Sequence, residues 1–224
     1  MPRLVRSLLP QPCQLCGAED GTSPFCSPCL ADLPWLSRNR CGVCALPLAS
    51  GAVCGACLKQ PPRFDRVDAA FAYRFPVDAL IRAYKYGGRL ALARGLGELL
   101  AQSVAHDADA IVAMPLAPER LAGRGFNQAH EIARVVAAQT GIPLLTSACR
   151  KVLDTPPQAA LPWQERAKNV RHAFVCDAEL TGKRIAVVDD VLTTGATLNE
   201  LARVLRKAGA ISVAGWVVAR TLPR

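Results

Sequence analysis

Residues 184–197 read Arg-Ile-Ala-Val-Val-Asp-Asp-Val-Leu-Thr-Thr-Gly-Ala-Thr, and this stretch decides the fold. The apolar run at 185–188 carries the β-branched bias of a short strand buried on both faces. Asp189 and Asp190 stand where that run ends, and the hydroxyl-rich turn Thr193-Thr194-Gly195-Ala196-Thr197 follows. A helix is predicted next, with Leu198, Leu201, Ala202 and Leu205 on its apolar face and Gly209 as its stop. Loop amides and a helix N-terminus suit a phosphate, and the carboxylates suit sugar hydroxyls, reached directly or through Mg²⁺. An ordinary β–turn–α unit explains the stretch less well, because neighbouring carboxylates at a buried strand end repel each other unless a partner is supplied.

The rest of the chain gives this unit a setting. At 224 residues, with 51% apolar residues, there is material for one full-sized core and a small additional module. No apolar run has the length of a membrane span. The apolar core of residues 1–12, after Arg3 and Arg6, is too short for a secretory signal, so a cytoplasmic location is expected. The formal charge is +9, and residues 61–224 hold 22 Lys/Arg against 15 Asp/Glu. A basic surface of this kind suits polyanions, whether sugar phosphates, pyrophosphate or nucleic acid, and does not choose among them.

Eight of the ten cysteines fall before residue 58 as four Cys-x-x-Cys pairs, 13/16, 26/29, 41/44 and 54/57. Residues 13–30 and 41–58 repeat one pattern, Cys-x₂-Cys-x₉-Cys-x₂-Cys-Leu. Two such turns complete a four-sulfur shell around Zn²⁺, whereas redox pairs of thioredoxin type need a βαβ setting that is missing here. The repeat favours closure within each copy: Cys13, Cys16, Cys26 and Cys29 around one ion, Cys41, Cys44, Cys54 and Cys57 around the other. A cross-braced arrangement is also compatible with the spacing. Both ions would be structural, with all four positions filled. Between the repeats Trp35 stands near Arg38 and Arg40, as a hydrophobic pin between modules or as a platform for a nucleic-acid base. Cys149 and Cys176 stand apart in sequence and are read as small apolar core residues.

The cluster Lys59-Gln60-Pro61-Pro62-Arg63 marks the domain boundary, giving a Cys-rich module over 1–60 and an α/β domain over 61–224. Residues 64–75 alternate as a strand able to form a hairpin, and helices are expected over 77–84 and 90–104. Between them Lys85 and Arg89 flank Gly87-Gly88, either to reach a phosphate or simply beside a turn between helices. A buried strand over 109–114 ends at Pro115-Leu116. The 115–125 loop then faces the crevice at the carboxyl ends of the strands. Its Arg120 and Arg124 offer fork-shaped donors suited to a diphosphate, and Arg124-Gly125-Phe126-Asn127-Gln128 leads into a helix over 129–139. Leu144-Leu145 is a short strand, 150–174 a long polar loop or lid, and 211–218 a last buried strand.

Residues 185–197 resemble the phosphoribosyl pyrophosphate (PRPP) signature of type I phosphoribosyltransferases, Asp-Asp-x-x-Thr-Thr-Gly-x-Thr after an apolar run. The whole chain is similar to the ComF family of bacterial phosphoribosyltransferase-like proteins. The shared features are the front cysteine knuckles, Lys85-Tyr86-Gly87-Gly88, Pro115-Leu116 and Arg124-Gly125-Phe126-Asn127-Gln128. The resemblance implies a type I phosphoribosyltransferase-like fold with a mainly parallel sheet behind a double zinc ribbon. It also implies a link to natural competence and the uptake of DNA. By the same resemblance Lys85 joins the site, the 115–125 loop holds pyrophosphate, and a lid carrying Arg150, Gln158, Arg166 and Asn169 closes over PRPP. The expected activity is phosphoribosyl transfer from Mg²⁺–PRPP. The rival expectation is a protein that binds single-stranded DNA and whose PRPP site is a sensor or relic, since no base-recognition pocket is evident after the signature.

Overall fold

The computed structural model describes residues 12–19, 24–153 and 171–223. Four strands form one parallel sheet: β1 (Arg66–Ala72), β2 (Ala110–Ala113), β5 (Arg184–Leu192) and β6 (Ser212–Arg220), in the order β1-β6-β5-β2. The apolar run at 185–188 is its centre. Ile185 pairs with Ala110 on one side and with Val213 on the other. Helices α3 (Val77–Tyr86), α4 (Leu92–Ser103) and α6 (Gln128–Thr140) cover one face, where Ala186, Val188 and Trp216 join Leu80, Leu100 and Ile132. Helix α7 (Ala196–Lys207) covers the other face through Leu198, Leu201, Ala202 and Leu205, all buried against Ile185 and Val187. Burial on both sides is what a near-continuous apolar strand demands.

Several elements depart from the sequence reading. Residues 64–75 contain a single strand, β1, parallel to β6 rather than a hairpin. Its outer edge is capped by the linker of the front module: Leu36 N donates to Ala70 O, Ala72 N donates to Pro34 O, and Trp35 bridges Phe71 in antiparallel sense. The Trp35 ring packs at a tilt against Phe71, centroids 4.6 Å apart, and donates from Nε1 to Leu30 O, so it serves as the pin. Strand 144–145 is reduced to a parallel bridge from Leu144 to Ile111. The polar segment after residue 148 begins and ends in an antiparallel ribbon, β3 (Cys149–Lys151) with β4 (Phe174–Cys176). This pairing sets Cys149 opposite Cys176. They are half-buried partners across a ribbon, not isolated core residues.

The front module, with its short helices α1 (Ser27–Ala31) and α2 (Gly55–Lys59), is tied into the large domain. Phe25 is fully buried in the main core, and its ring fills the space beside Gly95, where a Cβ would come within 2.6 Å of it. Arg40 donates to Ala69 O and Arg89 to Gln14 O. Phe25→Ala is expected to destabilise the whole chain by about 3–5 kcal/mol, as a large-to-small core change does. Equilibrium denaturation should show it as one cooperative loss. A transition confined to the front module would mean that the two parts are not one folding unit.

Candidate functional site

The two cysteine clusters follow the repeat. The sulfurs of Cys13, Cys16, Cys26 and Cys29 lie within 4.8 Å of one another, as do those of Cys41, Cys44, Cys54 and Cys57, so the clusters are sequential and not cross-braced. Cys16 and Cys26 Sγ are 3.7 Å apart and Cys44 and Cys54 Sγ 3.6 Å. A tetrahedral shell with Zn–S near 2.3 Å has an edge of about 3.8 Å. Backbone amides point at the sulfurs: Cys26 N donates to Cys13 Sγ and Cys54 N to Cys41 Sγ. Burial opposes ionisation of Cys13 and Cys41, but these and neighbouring amides outweigh it and hold both thiols near 6. The neighbouring Cys26 and Cys16 side chains push Cys29 up and burial pushes Cys57 up, so in each cluster one thiol is favoured to ionise while another resists it until a metal draws the proton out. The donor sets fit two zinc ions.

At the signature, β5 continues to Leu192, two residues beyond the acidic pair. Pairing with β2 stops near Val188, while pairing with β6 runs on through Val191 and Leu192. Asp189 and Asp190 thus lie inside a strand at the point where one of its neighbours has ended, which opens space beside them. Alternation puts Asp190 on the face of Val188, toward α3, and Asp189 on the face of Val187. Asp190 is buried and its Oδ2 accepts from Lys85 Nζ at 2.8 Å. Burial works against the Lys85 ammonium, yet Asp190 more than offsets it and holds the lysine above its ordinary pKa. Burial first, and then the charge of Asp190, push Asp189 up to about 7; Lys85 and the Asp190 amide oppose that rise.

The turn after β5 leads directly into helix α7. Gly195 N-caps α7 with φ +83°, a left-handed conformation that glycine adopts without strain. Thr194 Oγ1 accepts from Ala196 N at 3.1 Å. Helix α7 begins at Ala196, so Ala196 and Thr197 belong to its first turn rather than preceding it.

Residues 115–125, expected as a loop, contain helix α5 (Pro118–Arg124), started by Pro118 and ended by Gly125 at φ +78°. Four-residue spacing sets Arg120 and Arg124 on one face of it. They line a cleft of about 460 Å³ with Lys85, Tyr86 and Phe126. The Arg124 guanidinium lies over the Tyr86 ring at 5.1 Å. Lys85 therefore belongs both to this basic cleft and to the acidic strand, joining two parts of the sequence about a hundred residues apart. Pro115 and Leu116 are half-buried between β2 and α5. Asn127 caps α6 by accepting from Ala129 N and donates to Met114 O, which fixes the Arg-Gly-Phe-Asn-Gln turn against the end of β2. Gln128 is buried, its backbone O accepts from Tyr84 Oη, and its Nε2 has no partner among the described residues.

Of the lid candidates, Arg150 lies on β3 paired with Asp177 at 2.9 Å, while Gln158, Arg166 and Asn169 lie outside the described residues. Sequence reasoning missed Arg220, a buried arginine at the end of β6 that donates to the carbonyls of Leu192 and Thr193. The available signal was a cation closing an otherwise apolar run.

Parallel sheet, acidic strand end, Gly/Thr cradle and paired Cys₄ clusters define a phosphoribosyltransferase-like protein of type I fold carrying a double zinc ribbon. Residues 4–58 match the family model described as "Double zinc ribbon domain" and residues 122–221 the one described as "Phosphoribosyl transferase domain". The chain is 31% identical over 220 residues to Competence protein F of Haemophilus influenzae, covering 93% of this chain and 90% of that protein. It is 33% identical over 193 residues to DNA utilization protein YhgH of Salmonella typhimurium, covering 82% and 85%. Among solved structures it matches the allosteric regulatory enzyme of purine biosynthesis at 26% identity and a TM-score of 0.44, covering 61% of this chain and 29% of that one. The chain belongs to the ComF family of competence proteins. Among the described residues no helix is long and apolar enough to cross a membrane.

The raised pKa of Asp189 fixes a sign. The folded chain holds this proton more tightly than the unfolded one, so the acidic pair costs stability as pH rises from about 4 to about 7, and the cost is complete above that. Asp189→Asn is expected to melt a few degrees above wild type at pH 8 and to lose that advantage near pH 4. An advantage independent of pH would contradict the raised pKa.

Proposed function

We propose that this chain binds Mg²⁺–PRPP at the carboxyl end of β5 and transfers its phosphoribosyl group to a nucleophilic acceptor. The bond between ribose C1 and pyrophosphate breaks, the acceptor bonds to C1, and pyrophosphate leaves. One observation carries this reading: Lys85 contacts Asp190 while lining the same cleft as Arg120 and Arg124. A site for the ribose thereby adjoins a site for the diphosphate.

In this reading Thr193, Thr194, Gly195, Ala196 and Thr197 hold the 5′-phosphate through backbone amides and hydroxyls. Asp189 and Asp190 orient the ribose hydroxyls, and their oxygens are the ligands the chain offers to Mg²⁺, which would supply charge neutralisation at the diphosphate. Lys85 exchanges Asp190 for the diphosphate when it arrives, and Arg120 and Arg124 stabilise the charge that develops as pyrophosphate departs. Pro115 and Leu116 bring the backbone after β2 alongside. Arg150, Gln158, Arg166 and Asn169 remain the proposed lid residues that exclude water from C1. The setting is the cytoplasm, and the biological context is the one printed in the relatives' names, competence and DNA utilization.

A second reading has its own support. The Tyr86 ring is 75% exposed and stacked under Arg124 beside two further cations, a surface on which bases of single-stranded DNA could stack. PRPP would then act as a signal or its site would be a relic, with competence proteins as further partners.

Pyrophosphate release from Mg²⁺–PRPP distinguishes the two. It should be measured with nucleobases, small amines and single-stranded DNA offered in turn. Transfer predicts release that depends on one acceptor and falls by about 100-fold or more in Asp190→Asn, which should remain folded. No release with any acceptor, alongside DNA affinity that falls steeply with salt, would favour the second reading.

A further inference from the structure

Arg220 closes β6 and is 4% exposed. Its Nε donates to Cys44 O at 2.9 Å, inside the second cysteine knuckle. Its Nη1 donates to Leu192 O at 3.0 Å, to Thr193 O and to Thr221 O at 2.9 Å. One planar fork thus holds together a metal knuckle, the end of β5 and the first residue of the phosphate cradle. Arginine suits this because its donors diverge in one plane at fixed angles, which a lysine ammonium cannot reproduce.

The charge balance points the same way. A buried cation needs a compensating negative charge. Among the described residues the hydrogen-bond partners of Arg220 are all carbonyls and none is a carboxylate. Four thiolates around one Zn²⁺ would keep a net negative charge, and Cys44 and Cys57 line the same cleft as Arg220. A cleft of about 410 Å³ lies between that knuckle and the cradle, with Cys44, Cys57, Thr194, Gly195 and Arg220 in its lining. The first cluster docks elsewhere, through Phe25 beside Gly95 and Gln14 beside Arg89.

We propose that Arg220 is a positioning residue linking the second Cys₄ cluster to the phosphate cradle, so that zinc in that cluster and PRPP at the cradle strengthen each other's binding. The inference rests on the reading of residues 193–197 as the 5′-phosphate site. Zinc fixes the knuckle, the Cys44 carbonyl and the thiolate charge hold the guanidinium, and the guanidinium sets the carbonyls at the start of the cradle. Without the metal the knuckle loses its shape, and the cradle loses a support. Thermodynamic linkage makes the effect reciprocal: PRPP must then retain zinc in the second cluster and leave the first unaffected.

The test is zinc release from the full chain into a chromogenic chelator, with and without Mg²⁺–PRPP, while calorimetry under the same conditions follows PRPP binding. Wild type should release two zinc ions, one of them slowed about fivefold or more by PRPP. Arg220→Lys and Arg220→Gln should still bind two zinc ions and lose the slowing. Cys57→Ser should lose the PRPP-sensitive zinc, keep the insensitive one and bind PRPP more weakly. If PRPP binds wild type and neither release rate changes, the coupling is wrong while the phosphate site stands. Slowing that survives in either Arg220 variant, or that persists in Cys57→Ser, also overturns the proposal. Failure of PRPP to bind wild type would remove the site reading itself, and the inference with it. Should the Arg220 variants not fold, the wild-type and Cys57→Ser rates still decide whether the second cluster is coupled to PRPP.

Discussion

Two consecutive carboxylates in a central parallel strand would be a defect in most cores, and the arrangement around Asp189 and Asp190 is what makes them tolerable. The strand continues past them on the β6 side and has lost its β2 neighbour on the other, so space opens beside the pair. Asp190 is neutralised by Lys85 at 2.8 Å, while Asp189 is left partly protonated near neutral pH. The last turn of helix α3 brings Lys85 to Asp190 on β5, and Arg120 and Arg124 of α5 line a cleft with the same lysine. Strain of this kind is characteristic of sites built for a ligand that supplies the missing charge complement.

The front module is better described as a third wall of this domain than as an appendage. Its linker extends the sheet beyond β1, Phe25 enters the main core, and Cys44 O receives the buried arginine of β6. A short cysteine-rich segment with little core of its own gains shape from metal and position from these contacts. The boundary expected at 59–63 rests on composition, yet Arg63 N donates to Asn199 Oδ1 and Arg63 O accepts from Arg206 Nε, so this segment is strapped to α7.

What could be read in the sequence follows from how local each signal is. The strand at 185–188, the glycine at 195 and the helix face at 198–205 are dictated within a few residues, and they stand as expected. The cysteine ligands were legible from the repeat, which favoured closure within each copy, while the choice against cross-bracing comes from the placement of the sulfurs. Features that depend on distant partners were not. Alternation in residues 64–75 is equally compatible with a hairpin or with one strand flanked by β6 and residue 35. The turn at 115–125 carries no run of helix-forming residues long enough to announce α5. Cys149 and Cys176 face each other only because the chain returns in register 27 positions later. The role of Arg220 depends on the knuckle at Cys44, 176 positions earlier. Lys85 lies between these cases: its neighbouring glycines hinted at a site, and only the packing of α3 over β5 joins it to Asp190.

The central claim is that the acidic strand end and the basic cleft form one PRPP site joined at Lys85. The most direct measurement is a crystal structure of the chain with Mg²⁺–PRPP bound. The account predicts the 5′-phosphate against the amides at 195–197, the ribose hydroxyls at Asp189 and Asp190, and the diphosphate beside Lys85, Arg120 and Arg124. PRPP bound away from β5, or lying with its diphosphate outside the Lys85–Arg124 cleft, would contradict it.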